Sequence, residues 1–205
     1  MSAAASTLEV LRAADRTPVA WKNGGGFTRE VAVHPRGSHL GSFDWRVSIA
    51  EIRSAGPFSL FPGIERRMAI VSGRLALAVG GGPAVILTPE SDAVEFPGDV
   101  PVYAEPLGAP VTDLNLMTRR VRCSASLGRR LARASAVLEP RADTTLIVAL
   151  GELLVRRAGS ELALAALDAL RIAPGPGCTI SASSGSGAFH LIEIFQPCQN
   201  PPPSS

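Results

Sequence analysis

The stretch 21–30 contains three consecutive glycines flanked by cationic and amide side chains. Glycines at 24–26 permit positive φ angles and a close approach of the backbone to a ligand. Lys22, Asn23 and Arg29 supply hydrogen-bond donors for a carboxylate or a similar anion. The stretch is not a nucleotide-binding loop, because the lysine precedes the glycines and no Gly-Lys-Ser or Gly-Lys-Thr ending follows them. An anion-binding loop and an ordinary flexible loop both fit this pattern.

A second stretch, 43–51, has the alternation of a half-buried strand. A period of two places Trp45 and Val47 on one face and leaves Arg46 and Ser48 on the other. If the polar face points into a barrel, Arg46 is a fixed cation that can hold a planar carboxylate through two hydrogen bonds. If the apolar face points inward, Arg46 lies on the surface. The sequence leaves both arrangements open.

The same alternation recurs in 111–117, where Asp113 and Asn115 share one face. A polar pair on the lining of a barrel suits a binding pocket, and an exposed strand face explains the pattern equally well. Between these strands, the proline- and glycine-bounded loop 56–67 carries Phe58 and Phe61 and ends in two arginines. Such loops often line binding sites, but hydrophobic anchoring of the loop explains the phenylalanines equally well.

The three histidines provide no metal-ligand pattern. His34, His39 and His190 form no HxH pair and do not stand in ligand spacing with a glutamate. His190 alternates with apolar residues, an arrangement more typical of a hydrogen-bonded core histidine. No GxSxG motif is present, and no cysteine has a histidine nearby in the sequence. We therefore expect no metal, no cofactor and no nucleophilic catalytic residue.

Length and composition indicate a folded, all-β protein. The 205 residues, 46% of them hydrophobic, can bury a core, and 20 glycines and 17 prolines favour short strands over long helices. A net charge of +2 gives no general attraction to nucleic acid or to acidic membranes. The three dispersed cysteines are expected to be free thiols, and no stretch has the features of an export signal or a membrane span. We expect a cytoplasmic protein.

A weak internal repeat divides the chain. Residues 70–77 parallel 148–155 around a glycine turn, and 92–98 parallel 168–175 further on. The same order of two landmarks predicts two copies of one β module, although chance similarity between two hairpin-rich stretches is the alternative. The predicted division is an N-terminal segment at 1–17, a first barrel at 18–118, a basic connector at 119–140, a second, smaller lobe at 141–196 and a disordered tail at 197–205.

These motifs follow one another in a set order between residues 18 and 122. They comprise 22–30, 43–48, 56–59, 61–66, 96–99 and 113–117. In their order and spacing the chain resembles the HutD/Ves family, and its second half is similar to that family mainly in strand rhythm. The resemblance implies a bicupin fold, which consists of two jelly-roll (double-stranded β-helix) barrels in one chain.

The resemblance also implies a function. It suggests a metal-free binding protein for a small carboxylate such as urocanate or formylglutamate, which moderates bacterial histidine utilisation rather than catalysing a step. Its partners would be a small organic acid, not nucleic acid or a membrane, and a homodimer is compatible with this interpretation. The implied ligand-binding residues surround the mouth of the first barrel: Lys22, Asn23, Gly24, Gly25, Gly26, Thr28, Arg29, Arg46, Ser48, Ser59, Phe61, Arg66, Asp113 and Asn115.

Two other functions stay open. A metal-independent cupin enzyme, an isomerase or a hydrolase acting on a related acid, would use Asp113 or Glu51 as a base. A protein-interaction module would dock a regulator on the basic connector through Arg119, Arg120 and Arg122. That connector carries no aromatic residue for stacking on bases, so a solvated linker is its simpler interpretation.

Overall fold

The computed structural model describes residues 8–132, 135–182 and 187–197, and its regular structure is almost entirely β-strand. The elements are β1 (Leu8–Leu11), a 3-10 helix (Ala13–Asp15), β2 (Pro18–Ala20), β3 (Gly26–His34), β4 (Trp45–Ile52), β5 (Gly56–Pro57), β6 (Ile64–Ser72), β7 (Leu75–Val79), β8 (Val85–Leu87), β9 (Val94–Pro97), β10 (Val102–Pro106), β11 (Val111–Arg119), β12 (Ser124–Ala132), β13 (Ala136–Leu138), β14 (Thr144–Ala149), β15 (Leu153–Arg157), β16 (Ser160–Leu164), β17 (Ala169–Ile172), β18 (Cys178–Ala182) and β19 (Gly187–Phe195).

The strands form four antiparallel sheets. The N-terminal sheet pair consists of β2-β3-β4-β11-β6-β9 and β5-β10-β7-β8. The C-terminal sheet pair consists of β1-β17-β14-β19-β12 and β13-β18-β15-β16. The order β4-β11-β6-β9 in one pair corresponds to β12-β19-β14-β17 in the other, and the two four-stranded sheets correspond in the same way. The all-β prediction is confirmed.

Each sheet pair encloses a hydrophobic core, and a third core joins the two pairs. Met68 of β6 packs with Leu77 of β7 inside the N-terminal pair. Ile147 of β14 packs with Val155 of β15 inside the C-terminal pair. The third core lies between the two large sheets and includes Val47 of β4. Because both faces of the six-stranded sheet are covered, a polar side chain on either face is removed from water and needs a hydrogen-bond partner.

Trp45 fixes which face of β4 points towards the C-terminal pair. The residue is 1% exposed and belongs to the core between the two sheet pairs. His34 stacks on its indole with a centroid separation of 5.7 Å, and the Arg171 guanidinium lies 5.3 Å from the indole centroid. The apolar face of β4 therefore points away from the interior of the N-terminal pair, and the polar face points into it.

The N-terminal segment belongs to the C-terminal sheet pair. The predicted division at residue 17 had instead made it a separate segment. Strand β1 pairs with β17 over its whole length. The buried carboxylate of Asp168 accepts hydrogen bonds from Arg12 Nη1 at 2.7 Å and from the backbone N–H of Ala13 at 2.8 Å. The sequence of the N-terminal segment alone does not predict this pairing, because the partner residues lie more than 150 positions away in the chain.

The expected basic connector at 119–140 is instead mostly strand. In its described part, β12 pairs with β19 and β13 pairs with β18. Strand β12 lies at a sheet edge, where exposed arginines such as Arg129 and Arg130 protect against pairing with other chains. Because of these charges, the segment lacks the alternation of apolar residues that predicts a strand. Two arginines of the run bind other parts of the chain: Arg119 donates to the carbonyls of Phe43 and Gly41, and Arg120 pairs with Asp99 at the surface.

Within the described ranges, no helix is long and apolar enough to cross a membrane. Cys123 and Cys178 are buried free thiols. Cys198 and most of the predicted disordered tail, 198–205, lie outside the described residues.

Candidate functional site

The interior of the N-terminal sheet pair carries polar side chains from adjacent strands. On β4, Arg46 and Ser48 share a face with Ile52, which packs in the enclosed core. Ser48 is 3% exposed, so its hydroxyl group lies in this interior and not on the surface. Of the two orientations that the sequence left open, the structure has the one with Arg46 inside.

Strand β11 brings a second polar row beside the first. Leu114 and Leu116 point into the core between the sheet pairs, so Asp113 and Asn115 point inward. Asn115 lies opposite Ser48 in the antiparallel register. The two polar pairs that the sequence identified separately are therefore neighbours on one enclosed sheet face.

Arg66 of β6 is held in this interior by phenylalanine rings. Its guanidinium carbon lies 4.8 Å from the ring centroid of Phe58, 5.1 Å from that of Phe96 and 5.9 Å from that of Phe61. These distances are typical of cation–π contacts. Arg66 is 6% exposed, and its position on β6 is opposite Met117, whose other neighbour is Arg46. The side chain is therefore a cation fixed by packing in the interior of the N-terminal pair.

No partner within the described part of the chain neutralises Arg66 directly. Its Nε has no hydrogen-bond partner, and no described carboxylate lies within 4.0 Å of its nitrogens. Burial lowers the pKa of Arg66 to about 10, and the nearby charge of Asp113 opposes this effect. The guanidinium stays protonated at neutral pH and has donors to offer.

The oxygens of Asp113 and Asn115 are also left without partners. Asp113 is 1% exposed and Asn115 is 7% exposed, and Oδ1 of each has no hydrogen-bond partner among the described residues. Burial raises the pKa of Asp113 to about 7, against smaller opposing effects of Arg66 and of its own backbone N–H. A carboxyl group with this pKa is present in both protonation states near neutral pH.

The remaining interior polar groups are paired with one another. Arg46 Nε donates to Glu30 Oε2 at 2.8 Å, and Arg46 Nη1 lies 3.5 Å from Ser48 Oγ. The Arg46 side chain is 15% exposed and that of Glu30 43%, so this pair connects the interior with solvent. Thr28 Oγ1 accepts a hydrogen bond from Trp21 Nε1 at 2.8 Å. The charge of Arg46 is thus balanced, whereas that of Arg66 is available.

The glycine loop lies at the end of the sheet and serves the backbone. Gly25 O accepts a hydrogen bond from Arg53 N at 2.8 Å, and Asn23 Oδ1 accepts one from Gly25 N at 3.0 Å. A Cβ on Gly26 would lie 2.1 Å from the carbonyl oxygen of Glu51. The close approach of two strands explains Gly26, and a positive φ of 71° explains Gly24.

Several predicted site residues lie apart from the interior cluster. Arg29 is on the opposite face of β3 from Thr28, with its guanidinium carbon 4.4 Å from the ring centroid of Phe27. Lys22 and Ser59 are exposed in loops. Of the predicted set, the structure brings together Thr28, Arg46, Ser48, Phe61, Arg66, Asp113 and Asn115.

Sequence reasoning missed three members of the cluster. Glu30 alternates with Thr28 and so could have been placed on the inward face of β3. Phe58 and Phe96 were noted in their motifs, but no sequence pattern shows that two distant phenylalanines flank one arginine. Glu51, named as an alternative base, points outward and bonds Arg53 Nε at 2.6 Å.

The arrangement suits one organic anion. It offers one unpaired guanidinium, one carboxyl group that changes protonation near neutral pH, and hydroxyl and amide groups within the same enclosed face. In the described residues, no group of three or more His, Cys, Asp or Glu side chains is placed to hold a metal ion. Two surface clefts, of about 240 and 290 Å³, lie elsewhere, lined by residues that include Arg171 and Arg120 respectively.

The fold places the protein in a broad structural class. It superposes on a variant of oxalate decarboxylase from Bacillus subtilis with a TM-score of 0.64, covering 96% of this chain and 81% of that chain at 10% sequence identity. At this identity the likeness concerns the fold alone. The protein is an all-β protein of cupin-like fold.

Comparison of sequences narrows this class to one family. The HutD family model matches residues 13–189. An uncharacterized 21.2 kDa protein in the hutC 3′ region of Pseudomonas putida is 37% identical over 198 residues, covering 93% of this chain and 98% of that protein. HutD from Pseudomonas fluorescens SBW25 superposes with a TM-score of 0.79 at 30% identity, covering 93% and 99% of the two chains. The chain belongs to the HutD family.

A similar match connects the chain with proteins called Ves. Protein Ves of Citrobacter koseri is 39% identical over 108 residues, which are 52% of this chain and 56% of that protein. The resemblance to the HutD/Ves family predicted from the motifs is confirmed.

Proposed function

We propose that this protein binds a small carboxylate metabolite, without a metal, inside the N-terminal sheet pair, and that binding regulates histidine utilisation. In this proposal the chain is a bicupin, with each sheet pair forming one jelly-roll barrel. The corresponding strand orders of the two pairs support this arrangement. Only the N-terminal barrel would hold the ligand.

The observation that carries the proposal is the isolation of Arg66. A buried cation without a counter-ion lowers stability, because removal from water is not offset by attraction to a partner. Phe58, Phe61 and Phe96 hold the guanidinium in place but leave its nitrogens free to donate. A ligand carboxylate would supply the missing charge and accept two parallel hydrogen bonds.

The other polar groups of the interior favour a short acid with a polar group at its far end. Arg46 and Arg66 are separated by Met117 on the same row of the sheet, so their Cα atoms are about 10 Å apart at the usual strand spacing. Ser48 and Asn115 lie side by side on the next row. Urocanate and formylglutamate both combine a carboxylate with a hydrogen-bonding group several bonds away.

The link to histidine utilisation rests on relatives. One relative is described by its position in the hutC 3′ region, and another is HutD itself, solved in a formate condition. We propose a regulatory role rather than a catalytic one, a cytoplasmic location that suits the free thiols of Cys123 and Cys178, and a homodimer as the assembly.

Calorimetric titration tests the binding proposal. Urocanate, formylglutamate, formate and histidine would be titrated against the wild type and against Arg66→Met, which keeps an apolar stem but removes the charge. Arg67→Met is the matched control, because Arg67 lies next to Arg66 on the outward face and pairs with Glu95 at 2.6 Å. We expect Arg66→Met to weaken carboxylate binding about 100-fold and Arg67→Met to leave it unchanged. Equal affinities in all three proteins would refute the proposal.

One observation also favours an enzyme. Asp113 is buried and has a pKa of about 7, and these are properties of a general acid or base. An isomerase or hydrolase acting on a related acid would use them. Incubation of the same four compounds with the protein, followed by NMR spectroscopy, decides between the two functions. Turnover by the wild type that disappears in Asp113→Asn would show that the protein is an enzyme. Spectra that do not change with time would favour the binding function.

A further inference from the structure

Asp113 is the interior group whose surroundings fit its ionised form least well. On β11 it lies opposite Ala50 of β4 and Ile70 of β6, neither of which has a side-chain donor. Its Oδ1 has no hydrogen-bond partner among the described residues, although the residue is 1% exposed. An ionised carboxylate normally accepts several hydrogen bonds, so this position suits the neutral acid better.

The charges that face Asp113 come from three strands. Arg66 of β6 is near enough to influence it, but no ion pair within 4.0 Å joins the two. Arg46 of β4 is paired with Glu30 of β3. The opposing four-stranded sheet contributes no charge, because its buried side chains facing the enclosed core are apolar: Leu75, Leu77, Leu87, Val102 and Ala104.

The protonation state of Asp113 decides what an incoming anion meets. In the ionised state, its negative charge acts on Arg66 and repels a ligand carboxylate. In the neutral state, its O–H is a donor that can complete the coordination of a carboxylate oxygen held by Arg66. The raised pKa, about 7, means that adding one proton at neutral pH requires little free energy.

We propose that the site takes up one proton with each carboxylate it binds, and that Asp113 holds this proton and donates it in a hydrogen bond to the ligand. This inference rests on the proposed function and adds a specific role for Asp113. The proton comes from the buffer: an O–H bond forms on Asp113, one bond to hydrogen breaks in the buffer acid, and no bond of the ligand changes. By linkage, the ligand also raises the affinity of Asp113 for its proton. Anion binding thus becomes tighter as the pH falls through neutrality.

Titration calorimetry at several pH values tests this coupling. Formylglutamate is the probe, because its carboxyl groups have reference pKa values of about 4 and do not change protonation between pH 6 and pH 8. With Asp113 titrating at about 7, the dissociation constant at pH 8 is expected to be about tenfold larger than at pH 6. Titrations in phosphate and in Tris at pH 8 measure proton uptake directly, and we expect close to one proton per ligand.

Asp113→Asn is the diagnostic variant. Its amide group supplies a permanent donor of similar shape, so we expect binding at pH 8 to be at least as tight as in the wild type, with less than twofold change between pH 6 and pH 8 and no proton uptake. Asp99→Asn is the control. Asp99 lies on the surface against Arg120, outside the interior, and its replacement is expected to leave the pH dependence unchanged.

The outcomes separate this inference from the proposed function. Wild-type binding that is independent of pH and takes up no proton would overturn the role of Asp113 and leave carboxylate binding intact. Proton uptake that persists in Asp113→Asn would also overturn it, by assigning the proton to another group. If formylglutamate, urocanate and formate all fail to bind at pH 6 and at pH 8, the proposed function is wrong and the inference with it. The wild-type proton count does not depend on how the variant folds.

Discussion

Replacing Asp113 with asparagine is expected to stabilise the ligand-free protein at pH 8. Its pKa is raised from 3.8 to about 7 by burial, so between these values the folded state holds a proton that the unfolded state has released. The free energy of unfolding therefore falls as the pH rises from about 4 to about 7. Asparagine has no such titration, and the variant avoids the loss.

The size of the effect follows from the change in pKa. At about 1.4 kcal/mol per pKa unit, the rise to about 7 corresponds to about 4 kcal/mol of stability lost by the wild type above pH 7. We take this as an upper value, because water that enters beside the partly exposed Arg46–Glu30 pair would reduce it. Even about 2 kcal/mol is a large part of the 5–15 kcal/mol typical of a folded domain.

Urea unfolding followed by the fluorescence of Trp21 and Trp45 provides the assay. The difference in unfolding free energy between variant and wild type, measured at pH 4, 5, 6, 7 and 8, should grow with pH and level off above pH 7. In the control, Asp99→Asn, the difference should not grow with pH over this range, because a side-chain hydrogen bond from Arg120 lowers the pKa of Asp99 from 3.8 and its titration window lies below the range. A difference for Asp113→Asn that stays flat with pH would refute the inferred burial of an unpaired carboxyl group.

Three further changes test other parts of the fold. Burial, with a smaller effect of Arg129, lowers the pKa of His190 to about 4. As the pH falls below 6.5, the unfolded state therefore takes up a proton that the folded state does not, and the wild type loses stability. His190→Leu has no such loss and should be more stable than the wild type by about 2 kcal/mol at pH 5 in urea unfolding. Gly26→Ala should lower the free energy of unfolding by about 3 kcal/mol, because a Cβ there meets the neighbouring strand. Gly56 has open space around it, so Gly56→Ala should change the midpoint of urea unfolding little. Asp168→Ala should release the N-terminal segment. Amide hydrogen exchange should then be faster in β1 than in the wild type, with a smaller change in β14.

The pH dependence of the wild type combines two opposing contributions. Between about pH 4 and 6.5, stability falls with rising pH because of Asp113 and rises with it because of His190. Asp113 lies inside the N-terminal pair, whereas His190 lies on β19 of the C-terminal pair. A flat wild-type profile in this range would therefore not contradict either shift, and only the single variants resolve them.

Local pattern was sufficient for strands β4 and β11 and for which of their residues share a face, but not for β1, β12 and β13. Arg46 with Ser48 and Asp113 with Asn115 were paired correctly, because alternation within one strand does not depend on the rest of the fold. Which face points inward was undecided, since both faces of β4 are covered. The covering of its apolar face by the C-terminal pair, through contacts such as Trp45 with Arg171, is a long-range property.

The glycine loop shows where residue type alone was insufficient. Three glycines beside Lys22 and Asn23 fit an anion-binding loop, and close contact between strands requires glycine for the same steric reason. Only the position of Glu51 O, 2.1 Å from a Cβ built on Gly26, distinguishes the two explanations. The ligand-binding role of these loop residues stays a prediction, and the interior cluster now has the stronger physical basis.

The two sheet pairs share a strand order but differ in what fills them. In the C-terminal pair, Ile147 and Leu191 belong to an apolar core, and buried Arg157 donates to backbone carbonyls through Nε and Nη2, although its Nη1 and Thr145 Oγ1 have no partner among the described residues. In the N-terminal pair, the corresponding strands carry Arg66 and Asp113, which have atoms without partners among the described residues. Buried charges of this kind usually stabilise a fold less than apolar side chains of similar size. What distinguishes the N-terminal interior is a carboxyl group and a guanidinium that both have unpartnered atoms, and the proposed binding of an anion would supply a partner for the guanidinium.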